Sequence, residues 1–466
     1  LYSVNDGGVH VTYDALADSV LWDELNRGYT TSQFYTIHLE EGDATNDLLL
    51  GGLQDNGMYV SLTADPADDW ARVHQDDGAY GALPAGVPFI LTSSQQGRLY
   101  KKTVDAAFNI TGFERIDPVG GTSNYNFINP FVLDPTDNDR LYWVSGNRIW
   151  RNTGLSAIPI TNNWYDKDTL NWEQVPGAQT VGLPRISIVD LSHASDQRLM
   201  FGTSTTGRIY RMDSLLGATP MRTEVTGSST VGWPTGYVSC LAPNDLNADE
   251  WIATQSNYNI RSIWHTTDAG ATWQDVSGNL EEFPDGTGSG PAVFWALIHA
   301  TWGGEDDRYF VGTSTGLYST DLLDGANTVW EQEGAATIGN VPVNMIAARN
   351  SDGLIAVATH GNGVYSSHLP AAPFSVAEHA GTGALHLWPN PATAELNVEL
   401  PIADRACTVD IVDAAGRSTL RTTVGRGTAR WTWDLRSANG RRVAPGTYTV
   451  IVTAGDRGSS GRVVVQ

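Results

Sequence analysis

The chain is a succession of short apolar runs separated by turns rich in Gly, Asp and Asn. Two such runs joined by a Gly-bearing turn form a unit that recurs eight times, as in LLLGGLQDNGMYVS (48–61) and LMFGTSTTGRIYRM (199–212). The units start at residues 1, 48, 89, 141, 199, 251, 309 and 354, so neighbouring units are 41 to 58 residues apart. A strand–turn–strand unit that repeats at this period is typical of the blades of a β-propeller.

Two further predicted strands flank each unit. An acidic turn such as DPTDND (134–139) precedes most of the units, and a segment anchored by Trp or Phe, such as WQDV (273–276), follows most of them. Four strands are the content of one propeller blade. The first unit lacks a first strand and the last lacks a fourth, so we predict that the strand near Trp22 pairs with the strand at 363–368. The ring then has seven blades over residues 20–370, and residues 1–19 are the remnant of a preceding blade or domain.

The pattern changes after residue 370. A linker of mostly small residues, AAPFSVAEHAGTGA (371–384), leads into alternating strand patterns with Gly turns over residues 385–466. This alternation predicts a small Ig-like β-sandwich. The predicted fold class is therefore all-β, with a seven-bladed β-propeller followed by a small Ig-like β-sandwich.

Composition and charge exclude several classes of function. Lys and Arg number 28 against 52 Asp and Glu, a net charge of −24 that argues against a nucleic-acid partner, because phosphates need a basic surface. No apolar run reaches the length of about 18 residues that a membrane helix needs, so no transmembrane segment is predicted. Cys240 and Cys407 fall in different predicted domains, which argues against a disulfide between them. The chain begins at Leu1 without a leader, and we expect that a signal peptide precedes it.

One face of a propeller carries the turns between second and third strands and the loops that join blades, and ligands bind on this face. Carboxylates and aromatic rings there suit a sugar site, in which rings stack and acids transfer protons. Alternatively, Asp and Asn are simply good turn formers, and the Tyr and Trp side chains pack the loops. The candidate ligand-binding residues are Gln54, Asp55, Asn56, Asp76, Asp77, Tyr125, Trp233, Tyr258 and His360, and the blade-joining loops also contain Tyr80 and Asn124.

Neither a metal nor a cofactor is predicted. Asp245, Asn247 and Asp249 have the spacing that opens a calcium loop, but Glu250 stands where that loop needs Gly, and Ser256 occupies its twelfth position. The ten His form no H-x-x-x-H or H-E-x-x-H pattern, and no nucleotide-binding or hydrolase-elbow loop occurs. Catalytic residues therefore stay unassigned.

The run T-T-D-A-G-A-T-W (266–273) resembles the Asp-box of sialidases, sortilin-type receptors and related propellers. The resemblance implies structural roles for Asp268, Gly270 and Trp273 in a hairpin turn. In such turns the Asp accepts backbone N–H bonds and the Trp packs between blades, on the face away from the ligand.

Residues 1–370 as a whole are similar to the sortilin and xyloglucanase group of propellers, on the runs NDGGVH (5–10), QFYTI (33–37) and GGLQDNG (51–57). In xyloglucanase-like enzymes the catalytic Asp stands in a D-x-G-G pattern. Here Asn5 occupies that position, followed by Asp6, which argues against a transferred mechanism.

The last domain has four marks of its own. The first is an aromatic-Pro-Asn-Pro opening (Trp388, Pro389, Asn390 and Pro391), and the second is a D-x-x-G-R strand end (Asp413, Gly416 and Arg417). The third is a G-x-Y strand start (Gly446 and Tyr448), and the fourth is a basic-Val-Val tail (Arg462, Val463 and Val464). Together they resemble the type A sorting domain of the type IX secretion system of Bacteroidetes. The resemblance implies recognition by that machinery at the outer membrane of a Gram-negative bacterium, then display on the surface or release. An Ig-like domain of the hook-capping type, which shares the G-x-Y strand, is the alternative.

Three functional hypotheses stay open. The first is a secreted or cell-surface propeller that binds a glycan or a protein on one face. The second is a glycoside hydrolase related to xyloglucanases, and the third is a structural cell-surface component. The departure at Asn5 favours binding over catalysis.

Overall fold

The computed structural model describes residues 1–466 with the exception of 6–7, 27–30, 41–45, 64, 66–67, 122–123, 181, 183, 194–197, 218, 227–231, 301–306, 370–384, 401–406, 414–417, 438–439 and 455–456. The chain divides into two compact units, residues 1–370 and 371–466. Strands dominate both units. The helical elements among the described residues are short 3₁₀ turns at Leu155–Ala157, Gly278–Leu280 and Gly325–Asn327. The prediction of an all-β chain is confirmed.

The first unit begins with a three-stranded sheet, here called the N-terminal sheet, and continues with seven sheets that follow one another along the described residues. All strand pairs are antiparallel, and neighbours in a sheet are neighbours in sequence. The N-terminal sheet is β1 Tyr2–Asn5, β2 Gly8–Val11 and β3 Asp23–Glu24. Sheet 1 is β4 Phe34–Leu39, β5 Leu49–Leu53, β6 Gly57–Ser61 and β7 Ala71–His74; sheet 2 is β8 Gly78–Ala82, β9 Phe89–Ser94, β10 Arg98–Val104 and β11 Ile110–Arg115. Sheet 3 is β12 Phe131–Leu133, β13 Leu141–Ser145, β14 Arg148–Asn152 and β15 Trp172–Gln179; sheet 4 is β16 Ile186–Leu191, β17 Leu199–Thr203, β18 Ile209–Asp213 and β19 Met221–Glu224.

The remaining sheets of this unit repeat the same order. Sheet 5 is β20 Val238–Asn244, β21 Asn247–Gln255, β22 Ile263–Thr266 and β23 Gln274–Asp275; sheet 6 is β24 Val293–His299, β25 Arg308–Thr313, β26 Gly316–Thr320 and β27 Glu331–Glu333. Sheet 7 has three strands among the described residues, β28 Val343–Arg349, β29 Leu354–Thr359 and β30 Val364–His368. The first strand of each sheet lies against the first strand of the next, with the Tyr80 and Phe131 rings 6.2 Å apart between sheets 2 and 3. Because β28 also lies against β4, the succession of sheets closes on itself.

The second strands form the buried layer of the sheets. Every residue of β5, β9, β13, β17 and β29 is buried. This explains why these strands show continuous apolar runs in the sequence, since a strand covered on both faces has no polar side. Close packing also requires Gly52 in β5, where a Cβ would lie 2.4 Å from the carbonyl oxygen of Ala79 in the next sheet.

Side chains of the first strands hydrogen-bond directly to the next sheet. The Thr36 hydroxyl donates to the Ala79 carbonyl at 2.7 Å, and the Ser187 and Ser239 hydroxyls donate in the same way to the next first strand, at 2.6 and 2.9 Å. Asn344 in β28 donates its amide to the Phe34 carbonyl in β4 at 2.8 Å. The contact that closes the ring is therefore of the same kind as the contacts along it.

The prediction that the strand near Trp22 completes sheet 7 is wrong. Its residues Asp23 and Glu24 form β3, which pairs with β2, while β30 pairs with β29 alone. Sheet 1 instead meets sheet 7 through a bridge between Gln33 and His360, and through the Gly361 N–H, which donates to the Ser32 carbonyl at 3.0 Å. Direct packing of β4 on β28 makes a shared closing sheet unnecessary.

The second unit contains two sheets. Its strands are β31 Leu387–Trp388, β32 Leu396–Glu399, β33 Cys407–Asp413, β34 Ser418–Val424, β35 Arg430–Trp433, β36 Gly446–Ala454 and β37 Arg457–Val465. One sheet has the order β31-β32-β35 and the other β34-β33-β36-β37. Val398, Val409, Val450 and Trp433 belong to one core cluster that both sheets supply. This two-sheet arrangement is the sandwich that the alternating sequence predicts.

Candidate functional site

The turns between second and third strands bring several candidate residues of sheets 1 and 2 together. Asp55 lies in the β5–β6 turn with a positive φ of 60°, and its N–H donates to the Asp77 carboxylate at 2.7 Å. The Asp77 N–H donates in turn to the side-chain oxygen of Gln95, in the β9–β10 turn, at 3.2 Å. The first bond holds the carboxylate of Asp77 and the second holds its backbone, while the Asp55 side chain is exposed.

Tyr35 is the centre of this group, and the sequence analysis did not single it out. Burial raises the pKa of its hydroxyl, and the negative charges of Asp77 and Asp55 raise it further. The Tyr35 ring lies 6.0 Å from the ring of His360, whose Nδ1 is 3.3 Å from the Asn344 amide nitrogen. Burial lowers the pKa of His360, which keeps the imidazole neutral near pH 7. Two carboxylates, a phenol and a neutral imidazole thus meet where sheets 7, 1 and 2 adjoin.

Other candidates on this face have local partners. Asp76 forms an ion pair with Arg98 at 3.4 Å, and both side chains are about 40% exposed. The Gln54 N–H donates to the Gln33 carbonyl, and the Asn56 amide donates to the Gln54 carbonyl. Tyr258 lies in the β21–β22 turn and is 60% exposed.

Tyr125 and Trp233 pack between elements instead of facing solvent. The Tyr125 ring lies against Gly97 and 6.3 Å from the Trp143 ring. Trp233 lies 4.8 Å from Trp264 and donates its indole N–H to the Gly207 carbonyl at 2.8 Å. For these two aromatic residues the packing role offered as the alternative describes the contacts better.

The turn between β22 and β23 is held by Asp268. Its carboxylate accepts the Thr272 N–H at 2.8 Å and the hydroxyls of Thr266 and Thr272 at 2.8 and 2.6 Å. These bonds lower the pKa of the Asp268 carboxyl. Trp273 is buried and donates to the Val225 carbonyl of the neighbouring sheet at 3.0 Å. Because strands alternate in direction, this turn lies at the end of the sheets opposite Asp55.

Asp47, Asp352 and His368 each offer one ligand atom to a common point, within 4.8 Å of one another. The guanidinium of the buried Arg349 already lies beside both carboxylates, 2.7 Å from Asp352 and 3.5 Å from Asp47. Arg349 also donates to the Glu40 and Asn46 carbonyls of sheet 1. The two carboxylates therefore neutralise an arginine, and a cation among them would be repelled.

Asn5 and Gly8, the described residues of the run that resembles the xyloglucanase pattern, lie in β1 and β2 of the N-terminal sheet. Asn5 pairs with Gly8, and the Val9 N–H donates to the Asn26 side chain at 2.7 Å. Asp6 and Gly7 lie outside the described residues. An amide at position 5 has no acidic proton to give to a leaving group.

In the second unit, the Trp-Pro-Asn-Pro segment is bonded to the end of the chain. The Asn390 amide donates to the Arg462 carbonyl at 3.0 Å, and its side-chain oxygen accepts the Val464 N–H at 2.9 Å. The Ala392 N–H donates to the Val464 carbonyl at 2.7 Å, and the Gln466 N–H to the Ala392 carbonyl at 2.9 Å. The opening and the tail, far apart in sequence, therefore form one continuous surface.

The Trp388 ring of this segment has two side-chain neighbours. The His386 ring stacks on Trp388 at 4.6 Å, and the Arg430 guanidinium lies 5.9 Å from the Trp388 ring centre. Tyr448 in β36 donates its hydroxyl to the Ala444 carbonyl at 2.8 Å. Gly446 opens β36 opposite Val465. Gly416 and Arg417 of the D-x-x-G-R motif lie outside the described residues.

Comparison with known proteins gives a match to one family model and matches to solved structures. The family model of the FlgD Ig-like domain matches residues 390–458, so the second unit contains an Ig-like domain, as predicted. No curated protein sequence matches the chain. Among solved structures, one match is PorZ of Porphyromonas gingivalis, described as an essential bacterial surface component of the type-IX secretion system. That match has 16% sequence identity and a TM-score of 0.48, and it covers 98% of this chain and 63% of the PorZ chain. No helix among the described residues is long and apolar enough to cross a membrane.

Proposed function

We propose that this protein is a secreted propeller that the type IX machinery exports to the bacterial surface, and that its propeller binds a glycan or a protein. The C-terminal domain is the export signal. The observation that carries the proposal is the bonding of the Trp-Pro-Asn-Pro opening to the tail, through the amide of Asn390. Separate sequence marks that meet in one surface suit a signal that another protein recognises as a unit.

The exposure of the tail supports this role. Arg462 and Val464 of the edge strand β37 are exposed, whereas Val463 and Val465 are buried in the core of the domain. The buried residues hold the strand, and the exposed ones are available to a receptor. Asn390 fixes the backbone between them, because it bonds the carbonyl of Arg462 and the N–H of Val464.

Export is tested with the full chain in a Bacteroidetes host that has the type IX system. We expect the wild-type protein at the cell surface or in the medium, and a variant that lacks residues 385–466 in the periplasm. Asn390→Ala should reduce surface protein about tenfold, because loss of both bonds loosens the backbone between Arg462 and Val464. Each lost bond is worth about 1 kcal/mol. The measurement is protease accessibility on intact cells.

Asn397→Ala is the matched control, because Asn397 is in the same domain and also accepts a hydrogen bond, from Thr432 at 3.0 Å. Its export should equal that of the wild type. Surface display of the truncated protein, or equal export of the two Asn variants, would exclude the sorting role.

The ligand face proposed for the propeller is the group around Tyr35. Asp55, Asp77 and His360 offer acceptors and a neutral imidazole there, beside an aromatic ring. Such a mixture suits the hydroxyls and apolar ring faces of sugars. We expect Asp77→Asn to weaken binding to a glycan found on an array about tenfold, since one charge-assisted hydrogen bond is lost.

Asp321→Asn is the control for this variant. Asp321 is 80% exposed and follows β26, at the opposite end of the sheets. Equal effects of the two substitutions would reject this face as the ligand site. Release of reducing sugar from the bound glycan would instead favour the glycoside hydrolase.

A further inference from the structure

A cavity of about 450 Å³ lies inside the ring of sheets. Residues of all seven first strands line it, from Leu39 in β4 to Ile346 in β28. Asp190, Asp245 and Asn350 line it at or next to the carboxyl ends of their first strands, so the cavity reaches the face of the first–second strand turns. This face is opposite the group around Tyr35. A volume of this size accommodates a small molecule.

The inner part of the cavity is aromatic and apolar. Tyr80, Phe131 and Trp295 are among the lining side chains, with the Tyr80 ring 6.2 Å from Phe131 and 5.8 Å from His38. The His38 Nε2 accepts the Gly81 N–H at 3.0 Å, and burial lowers the pKa of His38 to about 3. The imidazole is therefore uncharged at neutral pH and adds no positive charge to the cavity.

The lining contains two acidic residues, and His193 and His38 are its basic ones. Asp190 and Asp245 are its carboxylates, and no Lys or Arg is among the described residues that line it. Asp245 is held by His193, 3.1 Å away, and by the amide of Asn350. Burial raises the pKa of Asp245, and the nearby His193 and His299 oppose this change. The overall charge of −24 also favours a cationic ligand over an anionic one.

Two polar groups of the lining lack a partner. Neither the hydroxyl of Tyr80 nor the indole N–H of Trp295 has a hydrogen-bond partner among the described residues, although both side chains are at least partly buried. Burial raises the pKa of Tyr80 well above its usual value, so its hydroxyl stays protonated and can both donate and accept. Both side chains line the cavity, so a bound molecule can form hydrogen bonds with these two groups. The side-chain oxygen of Asn350, another lining residue, is buried and has no partner among the described residues.

We propose that this cavity binds a small organic cation, a primary amine on an apolar body that also carries a hydroxyl or carbonyl group. The ammonium group lies by Asp190 and Asp245. The body packs on the apolar walls, and its polar group accepts from Trp295 and bonds Tyr80. The site is separate from the proposed glycan face and from the export signal, and its existence depends on neither.

Three probes of nearly equal shape test the contribution of the ligand's charge separately from that of its apolar body and hydroxyl group. They are tyramine, its neutral alcohol analogue tyrosol, and the anionic analogue 3-(4-hydroxyphenyl)propionate. Binding to the full chain is measured by saturation-transfer NMR and calorimetry. We expect tyramine to bind about tenfold more tightly than tyrosol, the propionate to bind least, and added salt to weaken tyramine alone.

Asp245→Asn should weaken tyramine about fivefold and leave tyrosol unchanged, because only the charge is lost. Asp321→Asn is the matched control, because Asp321 is 80% exposed and does not line the cavity, and it should change neither. Asp190→Asn is the second variant, which serves if Asp245→Asn does not fold. Equal affinity for tyramine and tyrosol, preference for the propionate, or no binding of any probe to the wild type at millimolar concentration would overturn the proposal.

Discussion

The buried side chain of Lys102 makes the free energy of unfolding depend on pH in the neutral to alkaline range. Its side chain is 3% exposed, and its Nζ lies 2.5 Å from the Val73 carbonyl and 2.7 Å from the Nδ1 of His74. The rings of Tyr100 and Trp164 lie 5.8 and 5.7 Å from the amine. Burial lowers the pKa of Lys102 to about 7. The amine therefore loses its proton in the folded protein at a pH where the unfolded chain keeps it.

This difference fixes the sign and size of the effect. Between pH 7 and about 10.5 the unfolded state binds one more proton at Lys102 than the folded state, so the free energy of unfolding rises with pH. The slope for one such proton is about 1.4 kcal/mol per pH unit. His74 acts in another window, because burial and Lys102 lower its pKa from 6.5, so its contribution is gained as pH rises towards 6.5.

The assay is urea unfolding of the full chain at pH 7.5 and 9.5, for the wild type and Lys102→Met. Met cannot bind the proton, so the wild type should gain about 2 to 3 kcal/mol over this interval relative to the variant. Lys167→Met is the control, because its side chain is 30% exposed beside Asp117. Parallel pH dependence of the wild type and Lys102→Met would refute the reasoning.

Substitutions at Asp268 and Arg349 test how much two sets of hydrogen bonds contribute to the stability of the sheets. Asp268→Ala should lower the free energy of unfolding in urea by about 1 kcal/mol, which is near the lower limit for a charged acceptor because the side chain is exposed. Asp268→Asn keeps an acceptor for the Thr272 N–H and should lower it less. Arg349→Met should cost about 3 kcal/mol by leaving Asp352 and two carbonyls of sheet 1 without their donor, and Arg349→Met with Asp352→Asn should recover part of it in urea unfolding.

The sequence predicts the strands that are covered on both sides better than those that line the ring. The run LLLGGLQDNGMYVS has its strands at Leu49–Leu53 and Gly57–Ser61, because continuous apolar runs around a Gly turn have few other solutions. Gly57, with φ of +90°, leaves no room for a Cβ, which would lie 2.2 Å from the His74 carbonyl oxygen. Here composition and local geometry point to the same structure.

The first strands mix polar and apolar residues, and their partners are about fifty residues away in the chain. Tyr80 was assigned to a loop, yet it lies in β8 and lines the cavity. In the sequence, Asp245 has only the spacing of a calcium loop to mark it, and no motif marks Trp295. The tilt and the number of the sheets decide which side chains face the centre of the ring. Neither quantity can be read from a short stretch of one sequence. Asp55 and Asp77 of the group around Tyr35 can be proposed from the sequence, because both stand in turns with strong sequence signals.

The error at Trp22 shows what holds the ring closed. A missing strand at each end suggested that one strand must be shared, but the inner strands already carry their own connections. At one end of β28, Asn344 donates to the Phe34 carbonyl of β4, and at the other end Arg349 donates to the Glu40 carbonyl. The first of these bonds repeats the Thr36–Ala79 contact between sheets 1 and 2. Because the first strands pack on one another and four of their junctions, including the closing one, carry bonds of this kind, closure needs no special strand. The outer edge of β30 therefore does not have to be paired for the ring to hold.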